Sequence, residues 1–143
     1  MPKLSIHFFN EETTFKPNKL TVLRNWINDT ITKEKHQLEE LNFIICSDNY
    51  LLKINKEYLN HDTYTDIISF DNSVQPKEIA GDIFISIDRV KENAKSFKIN
   101  TQNELCRVMI HGVLHLLGYK DKTKKDKDLM TEKEDIYLRE MNF

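Results

Sequence analysis

The stretch from Asn103 to Leu117 is apolar on nearly every side, with Leu105, Val108, Met109, Ile110, Val113, Leu114, Leu116 and Leu117. A helix that is apolar all round is a buried one, so this segment predicts a core helix about which a small protein must be arranged. His111 and His115 interrupt it four residues apart. That spacing puts both imidazoles on one face, a turn apart, where they can close on one ion. Gly118 can then end the helix in a left-handed cap and turn the chain back, bringing Asp121 to the same ion. Two His and a carboxylate, with a fourth position left for water, form the donor set of a catalytic zinc centre with one Zn²⁺ per chain. Asp126 is the fallback third ligand. Without a metal, two buried imidazoles would need separate hydrogen-bond partners.

A helical zinc protease carries Glu directly after its first His, as general base. Gly112 stands there instead and cannot take a proton. The pattern points to a metal-dependent hydrolase and away from an ordinary zinc peptidase, with the proton acceptor unidentified. Glu104 shares the face of Val108, His111 and His115. It is either a hydrogen-bond partner for an imidazole or an early acid favoured by the helix dipole.

The 143 residues suffice for a single domain spanning 1–143 with a real core. With 31% charged and 39% hydrophobic residues the chain reads as soluble and globular. Its start has no signal-peptide pattern, and no apolar run approaches the ~20 residues of a membrane span. Cys46 and Cys106 are too few for a disulfide framework and read as reduced core residues. A cytoplasmic protein without membrane contact is therefore expected. A net charge of −2 gives no global pull toward nucleic acid. A local patch of Lys120, Lys122, Lys124, Lys125 and Lys127 lies beside the proposed metal site. It is either a contact for a nucleic-acid backbone, RNA or DNA, or a solvated loop and helix start offset by Asp121, Asp126 and Asp128.

Strands are expected over Leu4 to Phe9, Leu41 to Cys46, Thr65 to Phe70 and Ile79 to Ile87. Helices are expected from an Asn18 cap through Ile31, and from a Ser47 or Asp48 cap through Tyr58. Others start at Asp88, at about Asn103, and at Thr123, the last with Leu129, Met130, Ile136 and Leu138 as its apolar positions. The order β α β α β β α α α predicts an α+β protein: one small mixed four-stranded sheet covered by about five helices.

The run His111-Gly112-Val113-Leu114-His115-Leu116-Leu117-Gly118-Tyr119 resembles the signature His-Gly-x-Leu-His-Leu-x-Gly-Tyr-Asp-His of the YbeY family, bacterial endoribonucleases of ribosomal RNA maturation. The segment from Ile54 to Phe70 is similar to that family's Leu-Asn-x-x-Tyr-Arg-x-x-Asp-x-Pro-Thr-Asp-Val-Leu-Ser-Phe, and Gly81-Asp82-Ile83 to its Gly-Asp-Ile strand start. The resemblance implies a three-ligand zinc ion, single-stranded RNA as substrate and hydrolytic phosphodiester cleavage. It also implies a role in 16S ribosomal RNA maturation and ribosome quality control, with the ribosome or small-subunit proteins as partners. The chain departs from the family at Asp121, where the family has His, and at Leu59, where the family has Arg. Lys56 or His61 is then the expected source of a cation. Asp66 and Ser69 are read as shaping the strand entry, Asp82 as a turn residue at a strand start, and His7 and His36 as surface or satisfied core histidines. Three alternatives stand beside this reading. One is a metal-dependent hydrolase of peptides or small molecules, another a largely non-catalytic zinc-containing ribosome assembly factor. The third is an Fe(II) oxygenase, which two His and a carboxylate also suit.

Overall fold

The computed structural model describes residues 4–141. Its elements are β1 (Ile6–Glu11), α1 (Leu20–Lys33), β2 (Gln37–Cys46), α2 (Asp48–Leu59), β3 (Ile67–Asp71), β4 (Glu78–Ser86), α3 (Ile87–Phe97), α4 (Thr101–Leu116) and α5 (Lys124–Arg139). The expected α+β order holds throughout. The strands form one mixed sheet in the order β1-β2-β4-β3. β1 and β4 both run parallel to β2, and β3 runs antiparallel to β4 at the edge.

Alternation along the strands sorts their side chains between two layers. Leu41, Phe43 and Ile45 of β2, with Ile79, Ile83 and Ile85 of β4, join the main core beneath α1, α3, α4 and α5. On the opposite face Cys46, Leu51 and Ile68 form a smaller cluster under α2, with Tyr50, Phe70 and Phe84 packed against it. The apolar α4 is central to the main layer, with nine of its residues buried. Trp26 of α1 donates its indole N–H to the Tyr137 carbonyl at 2.7 Å, which fastens α1 to α5.

Boundaries differ from the sequence expectation in places. β1 is shifted to Ile6–Glu11 because its extent is set by pairing with Leu41 through Cys46. β2 begins at Gln37, four residues early, because its polar lead pairs with Glu78 and Ile79 of β4 around a bulge at Leu38/Glu40. Asn18 does not cap α1. Its backbone is engaged by the Gln102 side chain at 3.1 and 3.0 Å, and Lys19, in a left-handed conformation, is the cap. Gly81 and Asp82 lie mid-strand in β4, not at its start. A Cβ at Gly81 would stand 2.5 Å from the Phe70 carbonyl oxygen and 3.0 Å from Leu116, so only glycine allows β3 and α4 to approach this closely. Asp82 accepts from Asn42 at 3.0 Å and Asn72 at 3.2 Å, cross-linking the sheet instead of making a turn.

Candidate metal centre

α4 is capped by Asn100, whose side chain accepts from Asn103 N–H at 2.7 Å, and lies flat on the sheet at Gly112. A Cβ there would come within 2.9 Å of Ile67 and 3.0 Å of Ile83. The position after the first His therefore faces packed sheet and has no room for a glutamate base. At its C-terminus the helix closes in a Schellman motif. Gly118, at φ 106°, donates to His115 O at 3.0 Å, and Tyr119 N–H donates to Leu114 O at 3.0 Å.

The same turn orients a ligand. His115 Nδ1 donates to the Tyr119 carbonyl at 3.1 Å. His111 Nδ1 donates to Glu134 Oε2 at 2.6 Å, from α5. Carbonyl and carboxylate oxygens only accept, so both rings are held as the tautomer with a lone pair on Nε2. Those two nitrogens lie 3.0 Å apart. Asp121 Oδ2 is 3.3 Å from the His115 nitrogen and 3.5 Å from the His111 nitrogen. With both rings neutral, three lone pairs thus converge on one point. Nitrogen and oxygen donors about 2.0–2.1 Å from a tetrahedral ion are separated by roughly 3.3–3.4 Å, close to the triangle found here. The three residues could hold a metal ion, and they are the only such group among the described residues.

Burial opposes protonation of His111. The Glu134 hydrogen bond and the charges of Glu134, Asp121 and Asp66 outweigh it, and the ring's pKa is raised. Glu134 is itself buried, and its Oε1 is held by Arg107 at 3.3 Å. Glu104 does not serve an imidazole. It is buried beside Arg107, 3.9 Å away, and burial raises its pKa. Asp126 is committed to a reciprocal cap with Thr123 at the start of α5, not to the ligand triangle.

A cleft of about 570 Å³ opens over the triangle; His61, Asp66, Ser69 and Leu59 join the three candidate ligands in its wall. Lys56 is not among its lining residues, and its ammonium pairs with Asp62 at 3.2 Å. The backbone of Asp66 accepts from Ser86 N–H at 2.9 Å, which fixes the entry to β3. Lys120, Lys122, Lys124, Lys125 and Lys127 are exposed around the turn, Lys124 being paired with Asp128 at 2.9 Å. His7 is exposed, and His36 meets the Glu34 carbonyl at 2.7 Å. Burial pushes the Cys46 and Cys106 thiols up to about 12, and neither belongs to the donor group.

Two contributors escaped the sequence reading. Glu134 lies between Met130 and Tyr137 on the buried stripe of α5, and a carboxylate on that stripe was its signal. Glu34, at the end of α1, accepts from the hydroxyls of Tyr119 and Tyr137 and from Lys133. It ties α1 to the turn that orients His115 and to the helix that carries Glu134; its distant partners left no local pattern.

A mixed sheet backing a helix with paired histidines, closed by a glycine-capped turn that returns a carboxylate, defines an α+β protein built around a group that could hold a metal ion. The chain belongs to the endoribonuclease YbeY family, whose model matches residues 5–142. It is 51% identical over 138 residues to the endoribonuclease YbeY of Cytophaga hutchinsonii, covering 96% of each chain. The protein of that name from Flavobacterium psychrophilum is 54% identical over 131 residues, covering 92% of this chain and 93% of its own. The solution structure of TM1509 from Thermotoga maritima superposes with a TM-score of 0.66 at 26% identity, over 95% of this chain and 88% of that one.

Proposed function

We propose that this chain is a zinc-dependent endoribonuclease that cuts single-stranded RNA in ribosomal RNA maturation and ribosome quality control in the cytoplasm. His111, His115 and Asp121 are its ligands. The observation that carries the metal is the convergence of three donor atoms, with both Nδ1 atoms engaged elsewhere. Family membership supports RNA as the substrate. Zinc is favoured over iron because nothing else in the cleft suggests oxygen chemistry.

When bound, the ion supplies Lewis-acid polarisation of a phosphoryl oxygen and lowers the pKa of a water. The chain's own residues set the stage for it. Glu134 and the Tyr119 carbonyl keep both rings aimed with a free Nε2. Asp121 adds a negative charge at the cleft mouth, where its side chain is 45% exposed. His61, in the cleft wall, is the sequence-expected residue placed to donate to a phosphate oxygen. Leu59 offers none, so modest turnover is expected. The exposed lysines after Gly118 hold the RNA backbone.

A purified sample with one equivalent of zinc should cut single-stranded RNA and leave peptide substrates intact, with cutting abolished by chelation and by His115→Ala. Peptide cleavage without RNA cleavage would overturn the proposal. Intact RNA beside a tight, zinc-dependent association with the small ribosomal subunit would favour the assembly-factor alternative, which Leu59 keeps open.

A further inference from the structure

Tyr64 lines the same cleft as His111, His115 and Asp121, yet its side chain is 51% exposed. It is not on a loose tether. Just before it, the Thr63 carbonyl accepts from the buried Asn55 amide at 2.8 Å. Two residues after it, the Asp66 carbonyl accepts from Ser86 N–H at 2.9 Å. The ring packs against the Arg89 guanidinium, whose carbon lies 5.1 Å from the ring centroid. Arg89 is itself fixed by Asp48 at 3.2 Å and approached by Glu92 at 3.8 Å. Its charge is engaged by those carboxylates, so its role here is to hold the ring.

We infer that Tyr64 is the platform on which an unpaired nucleobase of the RNA strand stacks as the strand passes through the cleft, a reading that rests on the ribonuclease function proposed above. An aromatic ring that is pinned yet half open has little conformational freedom left to lose on binding. Bases offer a flat π-face to such a ring when they are free of a duplex, and proteins that take single strands use aromatic rings in this way. Paired bases are already stacked on their neighbours and cannot reach it. The platform therefore contributes to choosing single strands over duplexes.

The test uses the full chain, with chelator present so that cleavage does not intervene. Single-stranded RNAs carrying 2-aminopurine at successive positions are titrated with wild type, Tyr64→Ala, Tyr64→Phe and Tyr64→Trp. One position should show quenched fluorescence with wild type, and the quench should vanish in Tyr64→Ala. Affinity should fall about ten-fold in Tyr64→Ala, the effect of one stacked base, and largely return in the Phe and Trp variants. An abasic site at the quenched position should weaken wild type by the same factor and leave Tyr64→Ala unaffected. A flat abasic scan with wild type overturns the inference without recourse to any variant. So does wild-type affinity in a folded Tyr64→Ala. If RNA binds equally well regardless of Tyr64, this inference alone falls; if wild type binds no RNA, the ribonuclease reading falls with it.

Discussion

Each imidazole of the pair is fixed through the ring nitrogen that faces away from the ligand triangle, and that is where single substitutions are most informative. Glu134→Ala should weaken zinc affinity about 10–100-fold, as loss of a ligand's hydrogen-bond partner does. Glu134→Gln should retain part of it, because an amide oxygen still accepts from His111; competition with a chromogenic chelator reads both. Asp121→Ala should release zinc in the same assay, Asp121→His should hold it, and Asp126→Ala should lower thermal stability by loosening the α5 cap while zinc stays bound. Leu59→Arg should raise the RNA cleavage rate by less than the ~10²-fold that one preorganised donor is typically worth, and no gain would mean that another group such as Lys56 or His61 already fills the role or that RNA cleavage is not this protein's task. The His111, His115 and Asp121 positions were legible because helix spacing and one glycine are local properties. Glu134 was not, because its partner is defined only once α5 has docked on α4.

Elements hold the centre through two close approaches. At Gly81 the sheet leaves no space for a methyl group against the Phe70 carbonyl. Gly81→Ala should therefore cost about 1–3 kcal/mol, as overpacking does, and move the edge strand that walls the cleft. Urea unfolding and RNA cleavage should both record it. At Glu34 three elements meet. Burial alone would raise its pKa, but the hydrogen bonds from Tyr119 and Tyr137 and the Lys133 charge outweigh this and hold the carboxyl below its usual 4.5. A carboxyl lowered in the folded state stabilises above the unfolded pKa, and that contribution is lost as pH falls through the folded value. Urea midpoints of wild type should fall on acidification below about 4.5, and Glu34→Gln should show a shallower fall from a lower starting stability at pH 7. Periodicity revealed the type and order of every element. The early start of β2 was hidden because its lead is polar apart from the half-buried Leu38, and the Asn18 cap failed because Gln102, 84 residues away, took that backbone.

At the scale of the fold, the glycine-capped turn, the edge strand β3 and the loop after α2 meet around one cleft, and the exposed lysines flank Asp121 of its wall in sequence. Association with single-stranded RNA should weaken as salt rises through counterion release. Replacing Lys120, Lys122 and Lys125 together by Ser should flatten that salt dependence. An unchanged slope would place the RNA elsewhere. Neither strand order nor the shared cleft could be read from the chain, since both depend on contacts between distant segments. What the fold assembles there is accessible to anomalous scattering from crystals of zinc-loaded protein, recorded on both sides of the zinc absorption edge. A single peak should lie among His111 Nε2, His115 Nε2 and Asp121 Oδ2, and be absent from His115→Ala. No peak at that place, or a zinc ion held by other residues, would contradict the assignment.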